Sequence, residues 1–283
     1  MPKLTETQET RMSNSIKEFV ENLEKHENRI LNHPAIEPRE YDGLEKLIEI
    51  KGLCKEYKIK GKKFRAVDDM NLTLYKSQNI ALLGSNGAGK TTTVEMLVGI
   101  LKPSAGNIKY FFGDSMDKGK IDATKIGIQF QDSSYPQGLT VRDVIKSMNK
   151  IYGNKMKGLE LDYLIKIFGV DEYIDNKAAS LSGGQHQRLN ALLALIHKPE
   201  LVILDELSTG LDIKIKTRLV EFINNFVKDN KSTLLIVSHD INEINTLADR
   251  IVIMNKGKVI FDKTKDEAVK EFKTLAACLE YYI

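Results

Sequence analysis

Long apolar runs are missing from this chain. No stretch approaches the about 18 apolar residues a helix needs to cross a bilayer, so nothing in it is expected to span a membrane. The first residues are polar and acidic from Thr5 to Glu9, without the apolar segment of a secretory signal. The expectation is a protein that stays in the cytoplasm; for work at a membrane, another polypeptide must carry it there. Charge of one sign is missing too. Lys and Arg number 42 against 39 Asp and Glu, a formal net charge of +3, and no dense Lys/Arg run breaks that balance. A nucleic-acid partner is therefore not expected. Cysteine is scarce: Cys54 and Cys278 stand far apart, without metal-ligand spacing, and read as reduced packing thiols. Internal repeats and low-complexity segments are absent. What remains is ordinary globular material: 283 residues, 42% hydrophobic, enough for one large domain or two modest ones.

Residues 1–12 read as disordered. Ser15 and Glu18 have capping-box spacing, and Ile16, Phe19, Val20, Leu23 and Ile30 recur at helical steps, so an amphipathic helix is expected to end before Pro34. Its polar face is mixed in charge, which favours packing on its own domain, with docking on a partner as the alternative, over a membrane surface. Pro34 to Gly43 reads as a linker. From Leu47 the texture changes. Strands are expected at Leu47–Ile50, Met70–Leu74, Ile80–Leu83, Ile108–Phe112, Ile126–Phe130, Leu201–Leu204, Thr233–Val237, Ile251–Met254 and Val259–Phe261. Helical periodicity occupies Val141–Tyr152, Leu159–Phe168, Gln185–Ile196, Ile213–Lys228 and Asp266–Tyr281, the last as one closing helix. Alternating strands and helices imply an α/β domain with a largely parallel sheet.

Gly84-Ser85-Asn86-Gly87-Ala88-Gly89-Lys90-Thr91 fits the pattern G-x-x-x-x-G-K-[ST] between the apolar strand Ile80–Leu83 and the helical run Thr91–Val98. Glycines let the backbone curl so that several N–H groups face one anion, and the helix N-terminus adds partial positive charge there. Lys90 would meet the β- and γ-phosphates, and Thr91 would ligate magnesium. The chain is expected to bind a nucleoside triphosphate.

Two further motifs extend that reading. Leu201–Leu204 is an apolar strand ending in Asp205-Glu206, and carboxylates at such a strand end project into the ligand crevice, where one can hold magnesium and another can orient an attacking water. Leu181-Ser182-Gly183-Gly184-Gln185 opens a helix and is either a second anion cradle or a plain N-cap with a turn.

Together these motifs resemble the nucleotide-binding subunit of an ATP-binding cassette (ABC) transporter. LSGGQ with His186-Gln187-Arg188 resembles the family's signature, and LVILDE its Walker B strand. Ser208-Thr209-Gly210-Leu211-Asp212 is similar to the D-loop and Ser238-His239-Asp240 to the switch-histidine loop. Gln131 resembles the Q-loop glutamine, and Tyr57 the aromatic residue that stacks on adenine. The resemblance covers about residues 46–262 and implies a P-loop NTPase core with a mixed sheet, an antiparallel β subdomain, and a small helical subdomain at about 132–182. It leaves an N-terminal extension over 1–45 and a C-terminal helix over 263–283. It also implies a head-to-tail dimer, homo- or heterodimeric, with each ATP between one subunit's Gly84–Thr92 and the other's Ser182–Gln185. Lys90 and the loop amides would hold phosphates. Thr91 and Gln131 would ligate Mg2+, backed by Asp205. Glu206 would polarise the water, His239 would meet the γ-phosphate, and Asp212 would couple the two sites.

The chain departs from the family at Ser85 and at Leu207, both places where proline is usual, and at His186 in place of Lys or Arg; none of these removes a catalytic group. One cassette, no span and about forty residues after His239 fit an ATPase that drives a separate permease from the cytoplasmic face of the membrane. Gly138 to Gly153 resembles bacterial drug, bacteriocin and polysaccharide exporters. The alternative is a soluble, non-transport ABC ATPase in an assembly or scaffold complex. A P-loop kinase or GTPase does not fit LSGGQ or the absence of N-K-x-D.

Overall fold

A computed structural model describes residue 25 and residues 33–59, 61–113, 121–130, 134–207 and 213–283. The amphipathic helix expected before Pro34 lies outside the described residues apart from Lys25. Two sheets share the body. In the first, β1 (Lys46–Ile59) and β2 (Lys62–Tyr75) form an antiparallel hairpin, and β4 (Ala105–Tyr110) adds to the free edge of β1. The second sheet has the order β5 (Ile126–Gln129), β6 (Leu201–Asp205), β7 (Thr233–Val237), β3 (Ile80–Leu83), β8 (Arg250–Asn255), β9 (Lys258–Thr264). It is parallel except at β9, which returns beside β8 through a two-residue turn. Lys256 and Gly257 both have positive φ, 46° and 79°, as a tight hairpin with right-twisted strands requires.

The central strands are buried along their whole length, because both faces of this sheet are covered. Alternate residues serve opposite cores. Ala81, Leu83, Val202, Leu204, Leu234 and Ile236 join the cluster under the helices, whereas Ile80, Leu82, Leu201, Ile203 and Leu235 face the three-stranded sheet and α1 (Lys90–Leu97). The helical side comprises α2 (Val141–Ile151), α3 (Leu159–Ile167), α4 (Gly183–Leu195), α5 (Ile213–Asp229) and α6 (Ile241–Leu247). The chain closes with α7 (Lys265–Phe272) and α8 (Leu275–Tyr282).

Two expectations need correction. The strands expected at Leu47–Ile50 and Met70–Leu74 are parts of two 14-residue strands. Their outer halves carry Lys55, Glu56, Lys63 and Arg65, so no apolar alternation marks them. Cross-strand backbone pairing holds them, together with the in-register pair Arg65–Glu56 at 2.7 Å. The single closing helix is two helices, broken where Lys273 adopts φ 68° and Thr274 caps the next segment by accepting from the Ala277 amide. The break lets Phe272 and Tyr282 both pack on Phe261, at ring separations of 6.3 and 4.9 Å. The stretch Pro34–Gly43 has no regular structure, yet it is strapped to the body rather than hanging free. Ile36 donates to the Val259 carbonyl, Arg39 forks onto both oxygens of Glu267, and the Tyr41 amide donates to the Tyr75 hydroxyl.

Candidate nucleotide site

The glycine loop joins the carboxyl end of β3 to the start of α1, beside the ends of β7 and β8. Its glycines are required by its own neighbours. A Cβ on Gly84 (φ 143°) would lie 2.2 Å from the Met254 carbonyl oxygen, and one on Gly89 (φ 104°) 2.3 Å from that of Ala66. Backbone pressed this closely admits no side chain. Gly89 caps α1 without any side-chain hydrogen bond, so no side chain occupies the helix's leading amides. Ser85, Asn86, Gly87 and Thr91 are exposed, Thr92 is half-buried, and Ala88 is buried. The Lys90 ammonium is buried and donates to the carbonyls of Gly84 at 2.6 Å and Ser85 at 3.1 Å. Burial lowers its pKa, and the carboxylates of Asp205 and Glu206 pull it back up.

Those two carboxylates stand at the end of β6, two strands from β3. Asp205 pairs in register with Val237, and the Glu206 amide donates to the Val237 carbonyl at 2.8 Å. Glu206 has φ 52°, a left-handed conformation uncommon for a non-glycine residue. Burial, with the neighbouring Glu206 charge, pushes Asp205 up to about 6 against the pull of Lys90. A carboxylate so placed has too little positive charge around it, and Lys90 is spread over carbonyls. That deficit suits a divalent cation. Among the described residues no three His, Cys, Asp or Glu side chains form a metal cluster.

At the end of β7, Ser238 donates to the buried Glu243 carboxylate at 2.6 Å and accepts from the Asp240 amide at 3.0 Å. Asp240 caps α6 and pairs with Lys216. His239 sits exposed on this braced turn, one residue beyond the Val237–Ser238 segment that borders Glu206. Tyr57 is half-buried in β1 opposite Phe64; Ala66, two residues along β2 from Phe64, is the residue pressed against Gly89.

Ser182–Gln185 stands apart. Helix α4 begins at Gly183, two residues before the sequence suggests, because Ser182 and Gln185 form a capping box: the Gln185 amide donates to Ser182 Oγ, and the Ser182 amide to Gln185 Oε1. Ser182 and Gly183 are exposed. Among the described residues no hydrogen bond or ion pair links this cap to Gly84–Thr91. Gln131 and Asp212 lie outside the described residues. Sequence reasoning placed Gln187 in the signature run but missed its contact: its Nε2 donates to the Glu206 carbonyl at 2.7 Å. No spacing rule ties it to a residue 19 positions away.

Strand order, glycine loop and the acid pair at the carboxyl edge of the sheet define a P-loop nucleoside triphosphatase. Its LSGGQ helix narrows the class, and the comparisons agree. The family model described as "ABC transporter" matches residues 67–209. The ABC transporter ATP-binding protein NatA of Bacillus subtilis is 30% identical over 218 residues, covering 76% of this chain and 88% of that protein. The zinc uptake system ATP-binding protein ZurA of Listeria monocytogenes is 31% identical over 261 residues, covering 84% and 98%. A bacterial ABC transporter cassette solved as a dimer shares the fold at TM-score 0.68 and 24% identity, over 77% of this chain and 98% of that one. The chain belongs to the ABC transporter family, as its ATP-binding and ATP-hydrolysing subunit.

Proposed function

We propose that this ATPase drives export through a separate membrane-spanning permease, as a head-to-tail dimer whose ATP sites are each built from both subunits. One observation carries the composite site. Lys90, Asp205 and Glu206 interact electrostatically at one edge of the sheet, while the signature cap is exposed and makes no bond to them. In this reading Lys90 and the amides of Gly84–Thr92 hold the phosphates, and Tyr57 stacks on adenine. Ser182–Gln185 of a second subunit closes over the γ-phosphate. Glu206 orients the water and takes its proton as the water oxygen attacks the γ-phosphorus and ADP leaves. His239 meets the γ-phosphate, and Asp212 links the two sites. Mg2+, held by Thr91, Gln131 and Asp205, would neutralise phosphate charge. Among the described residues no helix is long and apolar enough to cross a membrane, which suits a separate permease. Resemblance over Gly138–Gly153 supports export; a relative named for uptake marks direction as the part to test.

The assay is turnover against protein concentration. Specific activity is expected to fall on dilution, and Glu206→Gln to retain ATP and dimerise while losing about 100-fold or more in hydrolysis. Constant specific activity to high dilution would remove the composite site; undiminished turnover of the variant would remove the role of Glu206. ATP-driven movement of drug or peptide cargo into inside-out vesicles that also carry the permease is the export result, and efflux from them the import result.

A further inference from the structure

We infer that Gln187 is a positioning residue for Glu206, and that through it helix α4 reports engagement of its cap to the chain's own hydrolytic carboxylate. The inference rests on the reading of Glu206 above.

The Glu206 peptide is restrained on three sides. Its amide donates to Val237 at 2.8 Å, its carbonyl accepts from Gln187 at 2.7 Å, and the next side chain, Leu207, is 1% exposed in the core under the helices. These restraints hold Glu206 at φ 52°, a conformation that costs a non-glycine residue free energy and persists only where the surroundings enforce it. Two restraints come from the sheet and the core. The third comes from the signature helix, whose exposed cap meets the partner subunit in the reading above. Gln187 lies five residues after Ser182, about 7.5 Å along the same helix.

Helix α4 is also fastened to the helical insertion. The Tyr173 hydroxyl donates to the Gln185 carbonyl at 3.1 Å, and the Arg188 guanidinium lies 5.2 Å from the Tyr173 ring. The first two turns of α4 therefore join three things: an exposed cap, the helical insertion and the Glu206 peptide. A small rotation of α4 on docking would be felt at Glu206 through one side-chain amide. An N–H donor on a backbone carbonyl is the whole requirement, which makes the link testable by chemistry rather than by size.

The test uses the full chain with Gln187→Met, close in shape but without the donor, Gln187→Glu, which puts an acceptor there, and Gln187→Lys, which restores an N–H. Met and Glu are expected to lower kcat about tenfold, with the KM for ATP and the melting temperature little changed, and Lys to regain most of the rate. In a Glu206→Gln background the same changes should cost nothing further, because both act on one group. Wild-type kcat in the Met and Glu variants overturns the inference. So does a joint loss of ATP affinity, folding and kcat in all three, or an equal loss in the Glu206→Gln background. Glu206→Gln alone separates the two ideas: if it hydrolyses normally, the reading of Glu206 fails first and takes the inference with it.

Discussion

Gly89 caps α1 with no side chain on its leading amides, whereas Ser182 caps α4 with a capping box closed over them. Both starts are rich in glycine, and both are proposed to meet phosphate. The reasons for glycine differ. At Gly84 and Gly89 the chain's own backbone lies 2.2 and 2.3 Å from where a Cβ would be; at Gly183 no described residue beyond its chain neighbours and its own helix lies within 4 Å. The loop is a site finished by its own fold, with a buried lysine and two carboxylates already around it. The cap closes its own capping box and is exposed; in the proposed dimer a second subunit's nucleotide covers it. In the proposed composite site one half is made by folding and the other by association.

The largest effect expected from this contrast is on stability. Gly84→Ala drives a methyl into the Met254 carbonyl and should destabilise the chain by roughly 3 kcal/mol or more, whereas Gly183→Ala should stay within about 1 kcal/mol of the parent. Urea unfolding of the pair measures it, and equal losses would break the contrast. Gly183→Ala should nonetheless reduce hydrolysis at concentrations where the dimer forms, if a partner's nucleotide approaches the backbone there.

Next in size is Ser182→Ala. It should leave ATP affinity of the dilute chain within about twofold, because the loop half is intact. Turnover at high concentration should fall about tenfold, alongside the loss of about 1 kcal/mol that an N-cap contributes. Nucleotide titration and turnover on one preparation separate the two; a parallel loss of affinity would place the cap inside the subunit's own site.

The smallest effect lies away from both halves. Arg39 above all holds the Glu267 carboxyl down to about 2, well below the ordinary carboxylate range. A depressed carboxylate stabilises the fold above its unfolded pKa and loses that contribution as pH falls through its folded value, here between about pH 5 and 2. The Glu267 side chain is 43% exposed, so solvent screens the pair and about 1 kcal/mol or less is at stake. Glu267→Gln should flatten this part of the acid limb in thermal melts and leave ATP turnover at pH 7 unchanged. A change in turnover would mean that the strap at residues 33–45 communicates with the site.

Much of this was legible along the chain, for a local reason. Ile80–Leu83 and Thr233–Val237 are buried on both faces, so a continuous apolar run marks the first from end to end and the second from Leu234 onward. The loop motif is contiguous because it is one turn between a strand and a helix. The outer halves of β1 and β2 were not legible, since charged residues paired across strands carry no apolar period. Nor was the break at Lys273, because apolar residues continue on both sides of it.

The sequence by itself determined the family, the glycine loop, the acid pair and the signature cap, since each is a short run whose chemistry depends on adjacent residues. Only the tertiary structure decided which of them meet. β7 lies between β3 and β6 and brings the Val237 carbonyl to the Glu206 amide, and burial among these strands gives Asp205 its raised pKa beside Lys90. Gln187 reaches Glu206 because α4 packs along the sheet, a proximity set by packing rather than by any spacing in the chain.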